Sequence, residues 1–168
     1  MKNTFIKNIL SQLHDIQDGE IWLDENFKKK IDNLPEGIAF KRPLPELHSV
    51  AELISHLLVW RKESILKIVG QKSELTMASP ENWLSNEELQ KTGWENLKKA
   101  FYHSQVELIE LIKNKSDDFL EEEYTNGYNF KYLLEGLIHH DMYHLGQIGI
   151  VIKLLNLNMQ HNSGGLQQ

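Results

Sequence analysis

The stretch that decides the fold is Asn129–Asn156, NFKYLLEGLIHHDMYHLGQIGIVIKLLN. Within it Leu133, Leu137, His140, His144, Ile148, Val151 and Leu155 recur at steps of four, three, four, four, three and four. That spacing keeps all seven on one side of an α-helix, so it predicts a long helix with a single inward stripe. Two members of the stripe are histidines, where leucine would be expected. They are one helical turn apart, so their side chains are neighbours. Two imidazoles withdrawn from water side by side are costly unless hydrogen-bonded or bound to a ligand.

Three more segments carry the same periodicity. Phe5, Ile6, Ile9, Leu10, Leu13 and Ile16 mark a first helix, which Asp18-Gly19 should stop. Ser49-Val50-Ala51-Glu52 has the form of a capping box, opening a second helix through Leu53, Leu57 and Trp60 to about Gly70. Trp94, Leu97, Phe101, Leu108 and Ile112 lie on one face of a third, whose last residues Lys113 and Lys115 suit the negative end of the helix dipole. A shorter amphipathic piece with Phe27, Ile31 and Leu34 lies between the first and second. Pro35, Pro43 and Pro45 make residues 35–47 read as an extended crossing loop. Residues 71–92 read as a polar loop in which Ser85 or Asn86 caps a lead-in turn. The expectation is an all-α four-helix bundle spanning residues 1–156 as one domain, with 157–168 a flexible, polar tail.

Composition narrows the chemistry. The chain has 168 residues, no cysteine, and 18 Lys plus Arg against 24 Asp plus Glu. Disulfides, thiolate ligands and a cysteine nucleophile are excluded. The acidic balance argues against nucleic acid as a partner, and no apolar run approaches the roughly 20 residues of a membrane span. The N-terminus has no apolar signal core, so a cytoplasmic location is expected.

Position separates the eight histidines. His56 lies beside Leu53 and Trp60 on the inner side of the second helix, where a third imidazole can join His140 and His144. Three neutral imidazoles suit one divalent ion, with zinc or nickel foremost and iron or manganese also compatible, and leave a coordination position open. Gln147 and Trp60 are expected to line the pocket. Glu52, one turn before His56, is a candidate hydrogen-bond partner for its other ring nitrogen. His103 reads as a surface residue, His14 and His48 as structural, His161 as part of the tail. His139 points about 100° away from His140 and is the histidine placed to face a partner helix. Asp141 and Tyr143 lie off the ligand stripe and could only support the site from behind. Gly136, Gly146 and Gly149 each cost about 1 kcal/mol relative to alanine inside a helix, which close approach of another helix would offset, within the bundle or across a dimer.

Two rival motifs fail on residues. His140–His144 has the spacing of a zinc-protease helix with Asp141 in place of the general-base glutamate. No Asp or Glu follows Asp141, however, and His161 is the sole downstream histidine. A di-iron carboxylate bundle needs paired Glu-x-x-His motifs, and the chain contains none.

The run Pro43–Arg61, PLPELHSVAELISHLLVWR, resembles the second-helix signature of the DinB/YfiT-like superfamily, and His139–Ile148, HHDMYHLGQI, resembles its last-helix signature. Gly19–Trp22 and the short helix after it are similar to that family as well. The resemblance implies an up-down-down-up four-helix bundle, often a homodimer, with the metal triad on His56, His140 and His144. For activity it implies metal-dependent transfer of an external low-molecular-weight thiol of the bacillithiol type, or hydrolysis of a small substrate. The alternative is a non-catalytic stress-response or binding module with a structural metal.

Overall fold

A computed structural model of the protein describes residues 3–72 and 74–164, with the side chains of 161–164 outside the description. Four long helices form the frame: α1 (Thr4–Gln17), α4 (Val50–Ile68), α6 (Trp94–Ile112) and α8 (Phe130–Gly164). Both α1 and α4 pack against α6 and α8, so the four close a circuit around one core. The structure is therefore an all-α bundle.

The core faces are those the periodicity selects, with local exceptions. On α1, Ile6, Ile9, Leu13 and Ile16 are buried, while Phe5 turns outward. On α6, Trp94, Leu97, Phe101, Leu108 and Ile112 are all buried. The start of α4 is fixed by the expected capping box: the Ser49 hydroxyl accepts from Glu52 N–H at 3.1 Å and the Glu52 carboxylate accepts from Ser49 N–H at 2.7 Å. Two otherwise orphaned donors at the helix start are thereby satisfied.

The buried arc of α8 is wider than the stripe read from sequence. Leu134, Ile138, Asp141 and Leu145 are buried alongside Leu137, His144, Ile148, Val151 and Leu155, and Leu133 is only half-buried. The cause is the number of neighbours: α8 touches α1, α4, α2 (Phe27–Ile31) and α7 (Asp117–Glu121). The stripe chosen by periodicity is one edge of that arc, and the edge turns out to matter.

The connections and the end of α8 differ from the expectation. Residues 35–47 are not wholly extended, because Pro35 caps a helical turn, α3 (Glu36–Ala39); proline suits the start of a helix, where its missing N–H is not needed. The segment between α1 and α4 therefore carries two short helices rather than one. A small antiparallel hairpin, β1 (Glu123–Thr125) with β2 (Tyr128–Asn129), precedes α8, turning at Gly127 with φ +79°; strands this short leave no alternating pattern to read. Finally, α8 does not stop near Asn156 but continues to Gly164. Residues 156–160 leave the core as their polarity indicates, yet lack of a buried face does not itself break a helix. The end of the expected tail, 165–168, and the side chain of His161 lie outside the described residues.

The segment 71–92 is more structured than a polar loop. It contains a 3-10 turn (Pro80–Trp83) and α5 (Asn86–Thr92), and Ser85 caps α5 as expected, with Glu88 completing a second capping box. The 3-10 turn packs against α4, and this places it at the site.

Candidate metal centre

His56 on α4 and His140 and His144 on α8 meet where the two helices pack. His140 Nε2 lies 2.9 Å from His56 Nε2 and 3.1 Å from His144 Nε2. Two nitrogens bound to one ion at 2.0–2.1 Å, at angles between octahedral and tetrahedral, would be about 2.8–3.4 Å apart. Both distances fall in that interval; the three ligand atoms all lie within 4.8 Å of one another, so binding an ion would draw the rings of His56 and His144 closer together.

The ring protons point the same way. His56 Nδ1–H donates to the backbone carbonyl of Asn82 at 2.9 Å. His144 Nδ1–H donates to Gln147 Oε1 at 2.6 Å. A neutral imidazole carries one N–H, so both of these rings present a bare lone pair at Nε2. Both lone pairs point at the Nε2 of His140, which can donate one hydrogen at most. Three ring nitrogens thus share at most one proton, an arrangement that a cation completes. The residues present fit one divalent ion with three nitrogen ligands.

Electrostatics favours the metal-binding protonation state. Burial pushes His140 down to about 3, with repulsion from His144, His56 and Arg61 adding to it. Burial likewise lowers His144 to about 4, against the opposing pull of the Gln147 hydrogen bond. His56 is also lowered by burial, its bonds to Asn82 acting the other way. All three are neutral at pH 7, the form that coordinates metal.

The surroundings come largely from residues that periodicity does not single out. Asn82 is buried, and its side chain accepts from Trp60 Nε1 at 2.8 Å and donates to Met77 O at 3.0 Å. Trp83 stacks on His56 with ring centres 3.9 Å apart and on His48 at 3.8 Å. The 3-10 turn therefore orients His56 through both a hydrogen bond and a ring face. An aromatic and an amide at the end of a Pro-initiated turn were visible in the sequence, but nothing there says which helix they meet. Glu52 does not serve His56. Its carboxylate is engaged by Ser49 N–H and by Arg42. His48, read as structural, borders the cavity beside the site. His139 and His103 are exposed.

Asp141 is the second surprise. It is buried, and its carboxylate accepts from Arg61 Nη2 at 2.9 Å, with Arg61 itself 1% exposed. Arg61 also donates to Phe101 O at 3.1 Å and lies over the Phe101 ring. One ion pair thus ties α4, α6 and α8 together beside the histidines.

A cavity of about 600 Å³ opens next to the three rings. Trp60, Gln147, Leu133 and Leu137 line it with the histidines, Lys67, Ser64, Tyr124, Tyr132 and Tyr143 are its further polar residues, and among the described residues no carboxylate contributes to the wall.

The sequence profile of the DinB superfamily matches residues 22–148, most of the chain, including all three histidines. The chain belongs to the DinB superfamily. No curated protein gives a significant match to it. The match agrees with the resemblance seen in the two helix signatures. Within the described residues of this DinB protein, His56, His140 and His144 form the set that could hold a metal ion. No helix among those residues is long and apolar enough to cross a membrane.

Proposed function

We propose that this DinB protein is a metal-dependent enzyme that joins a small external thiol to an electrophilic substrate. The observation that carries the reading is the convergence of three Nε2 atoms on the wall of an open cavity. A structural site is normally closed by a fourth protein ligand, and no Cys, Asp or Glu joins the three histidines among the described residues. A divalent ion, zinc or nickel foremost, would supply Lewis acidity and hold a coordinated thiol as its reactive thiolate.

The chain's own residues do the rest. Asn82 O and Gln147 Oε1 hold His56 and His144 in the tautomer that turns Nε2 inward, as partners behind metal ligands generally do. Trp60, Trp83, Leu133 and Leu137 give the cavity an apolar wall. With no cysteine in the chain, the sulfur must come from a second molecule. Hydrolysis is the weaker reading: a metal ion can bring bound water to a pKa of about 7, but the wall offers no carboxylate among the described residues to position that water or take its proton. A thiol ionises far more readily than water and does not need one.

The test is metal content and turnover of untagged protein. Stoichiometric divalent metal is expected in the wild type and its loss in His56→Ala. Metal-loaded protein should conjugate a biological thiol to an electrophile, and a chelator should abolish this. Unchanged metal binding in His56→Ala overturns the site; full metal loading with no turnover across a panel of biological thiols overturns the transfer role.

A further inference from the structure

The cavity beside the three histidines is long, and its two ends differ. On α4, His56, Trp60, Ser64 and Lys67 all line it, and steps of four, four and three keep them on one face of that helix. On α8 the lining runs the other way, from His144 and His140 through Leu137 and Leu133 to Tyr132. Tyr124, on β1 just before α8, also lines it, and Lys67 Nζ lies 5.6 Å from the centre of its ring. Lys67 follows His56 by 11 residues, which sets the two ends about 16 Å apart at the rise of an α-helix. A volume of about 600 Å³ drawn out over that length makes a slot rather than a round chamber. Its middle is apolar, walled by Trp60, Leu133 and Leu137.

Charge is as uneven as shape. Burial lowers His48, His56, His140 and His144, so the lining imidazoles are neutral at pH 7. Lys67 is then the charged side chain of the wall, and no carboxylate among the described residues joins it there. Glu63 Oε1 lies 3.2 Å from Lys67 Nζ, but Glu63 is buried and lies outside the wall. An ammonium has three N–H donors; one carboxylate oxygen of Glu63 takes one and fixes the group in place, leaving two for a ligand. Tyr124 and Tyr132 bring phenolic O–H donors to the same end. Burial holds the Tyr124 hydroxyl above its usual range, so it stays a donor.

We propose that this end of the slot binds the carboxylate of an elongated amphipathic acid, whose apolar body lies along the middle and whose far end reaches the histidines. Lys67 is the residue that selects this class of substrate. A hydrogen bond between two charged groups is roughly twice as strong as a neutral one, and the apolar middle accepts a chain or a flat ring without polar demands. Placing the reacting carbon at the histidines rests on the thiol-transfer reading; the anion site itself does not.

The test titrates full-length, metal-loaded protein with decanoate and with decanol, following the fluorescence of the tryptophans that line the slot. Lys67→Met alone would strand the buried Glu63 carboxylate, so Lys67 is removed in a Glu63→Gln background. Glu63→Gln by itself should still bind decanoate. Glu63→Gln/Lys67→Met should bind decanoate about tenfold more weakly and decanol as before, with helix content unchanged by circular dichroism. Unchanged decanoate affinity in the double variant overturns the anion site. So does an equal loss for acid and alcohol, which would make Lys67 merely structural, and so does a wild type that binds neither probe. Orientation is read from turnover of ω-bromodecanoate and α-bromodecanoate with a biological thiol, each relative to its uncatalysed rate. The carbon–sulfur bond forms as bromide leaves, and the thiol proton passes to buffer. Acceleration of the ω-bromo acid is expected, and acceleration of the α-bromo acid alone overturns the orientation. Acceleration of neither, with the Lys67-dependent binding intact, counts against thiol transfer and upholds the anion site.

Discussion

Replacing Asp141 with alanine should destabilise the protein by about 3 kcal/mol, the lower end of the roughly 3–5 kcal/mol cost of breaking a buried ion pair. The structure says why it is the lower end. Arg61 cannot shed its charge, but without Asp141 it still donates to Phe101 O at 3.1 Å and lies 4.4 Å from the centre of the Phe101 ring. The converse change, Arg61→Met, is harsher at neutral pH. Asp141 has no other hydrogen-bond partner, and its second oxygen is already buried without one. About 5 kcal/mol is expected there, a large part of the about 5–15 kcal/mol that holds a domain together. The two variants should also differ in pH dependence. Burial raises the Asp141 carboxyl even with Arg61 beside it, and losing Arg61 raises it further. A carboxyl whose folded pKa exceeds its unfolded value binds more protons when folded, so its contribution to stability falls as pH rises. The Arg61→Met penalty should therefore shrink toward pH 4, while Asp141→Ala shows no such recovery relative to wild type. Urea unfolding of metal-free protein at pH 7.5 and pH 4.5 measures both. The double variant Arg61→Met/Asp141→Leu should recover most of the loss. A penalty below about 1 kcal/mol for Asp141→Ala, or an Arg61→Met penalty that does not change with pH, would refute the reasoning.

Gln147→Leu removes the acceptor that fixes the His144 tautomer, and should weaken metal affinity by about 10–100-fold. Competition against a chelating dye reads this directly, and unchanged affinity would show that His144 is oriented by other means. Metal-free protein should lose stability as pH falls from about 6.5, the ordinary histidine value, toward the depressed values of about 4 for His144 and about 3 for His140. The sign follows because the unfolded chain takes up those protons first, so stability is full above that window and falls with pH inside it. Comparing the urea midpoint against pH in wild type and His140→Leu isolates the effect. Equal slopes in the two proteins would rule it out.

Much of the bundle was legible from residue spacing alone. The Ser49 and Ser85 caps, the α6 stripe and the inward turn of His56, His140 and His144 follow from the 3.6-residue period and from local hydrogen bonding. These are short-range properties that a chain carries wherever its neighbours lie. The DinB signatures likewise rest on runs of contiguous residues. What spacing could not assign is any role that depends on which elements touch. Asp141 reads as an off-stripe polar residue because periodicity assumes one buried face, and α8 has neighbours on several sides. Glu52 is a sensible partner for His56 at one-turn spacing, but Arg42 and the Ser49 cap claim it first. The partner His56 does have, the carbonyl of Asn82, is 26 residues away and arrives through a 3-10 turn packed on α4. The glycines of α8 divide in the same way. Sequence shows their cost, and only the packed structure shows that Gly149 has a neighbour while Gly136 and Gly146 have none. Helix faces and ligand candidates are thus set by local geometry, whereas the tautomers and the buried ion pair exist only once distant segments are brought together.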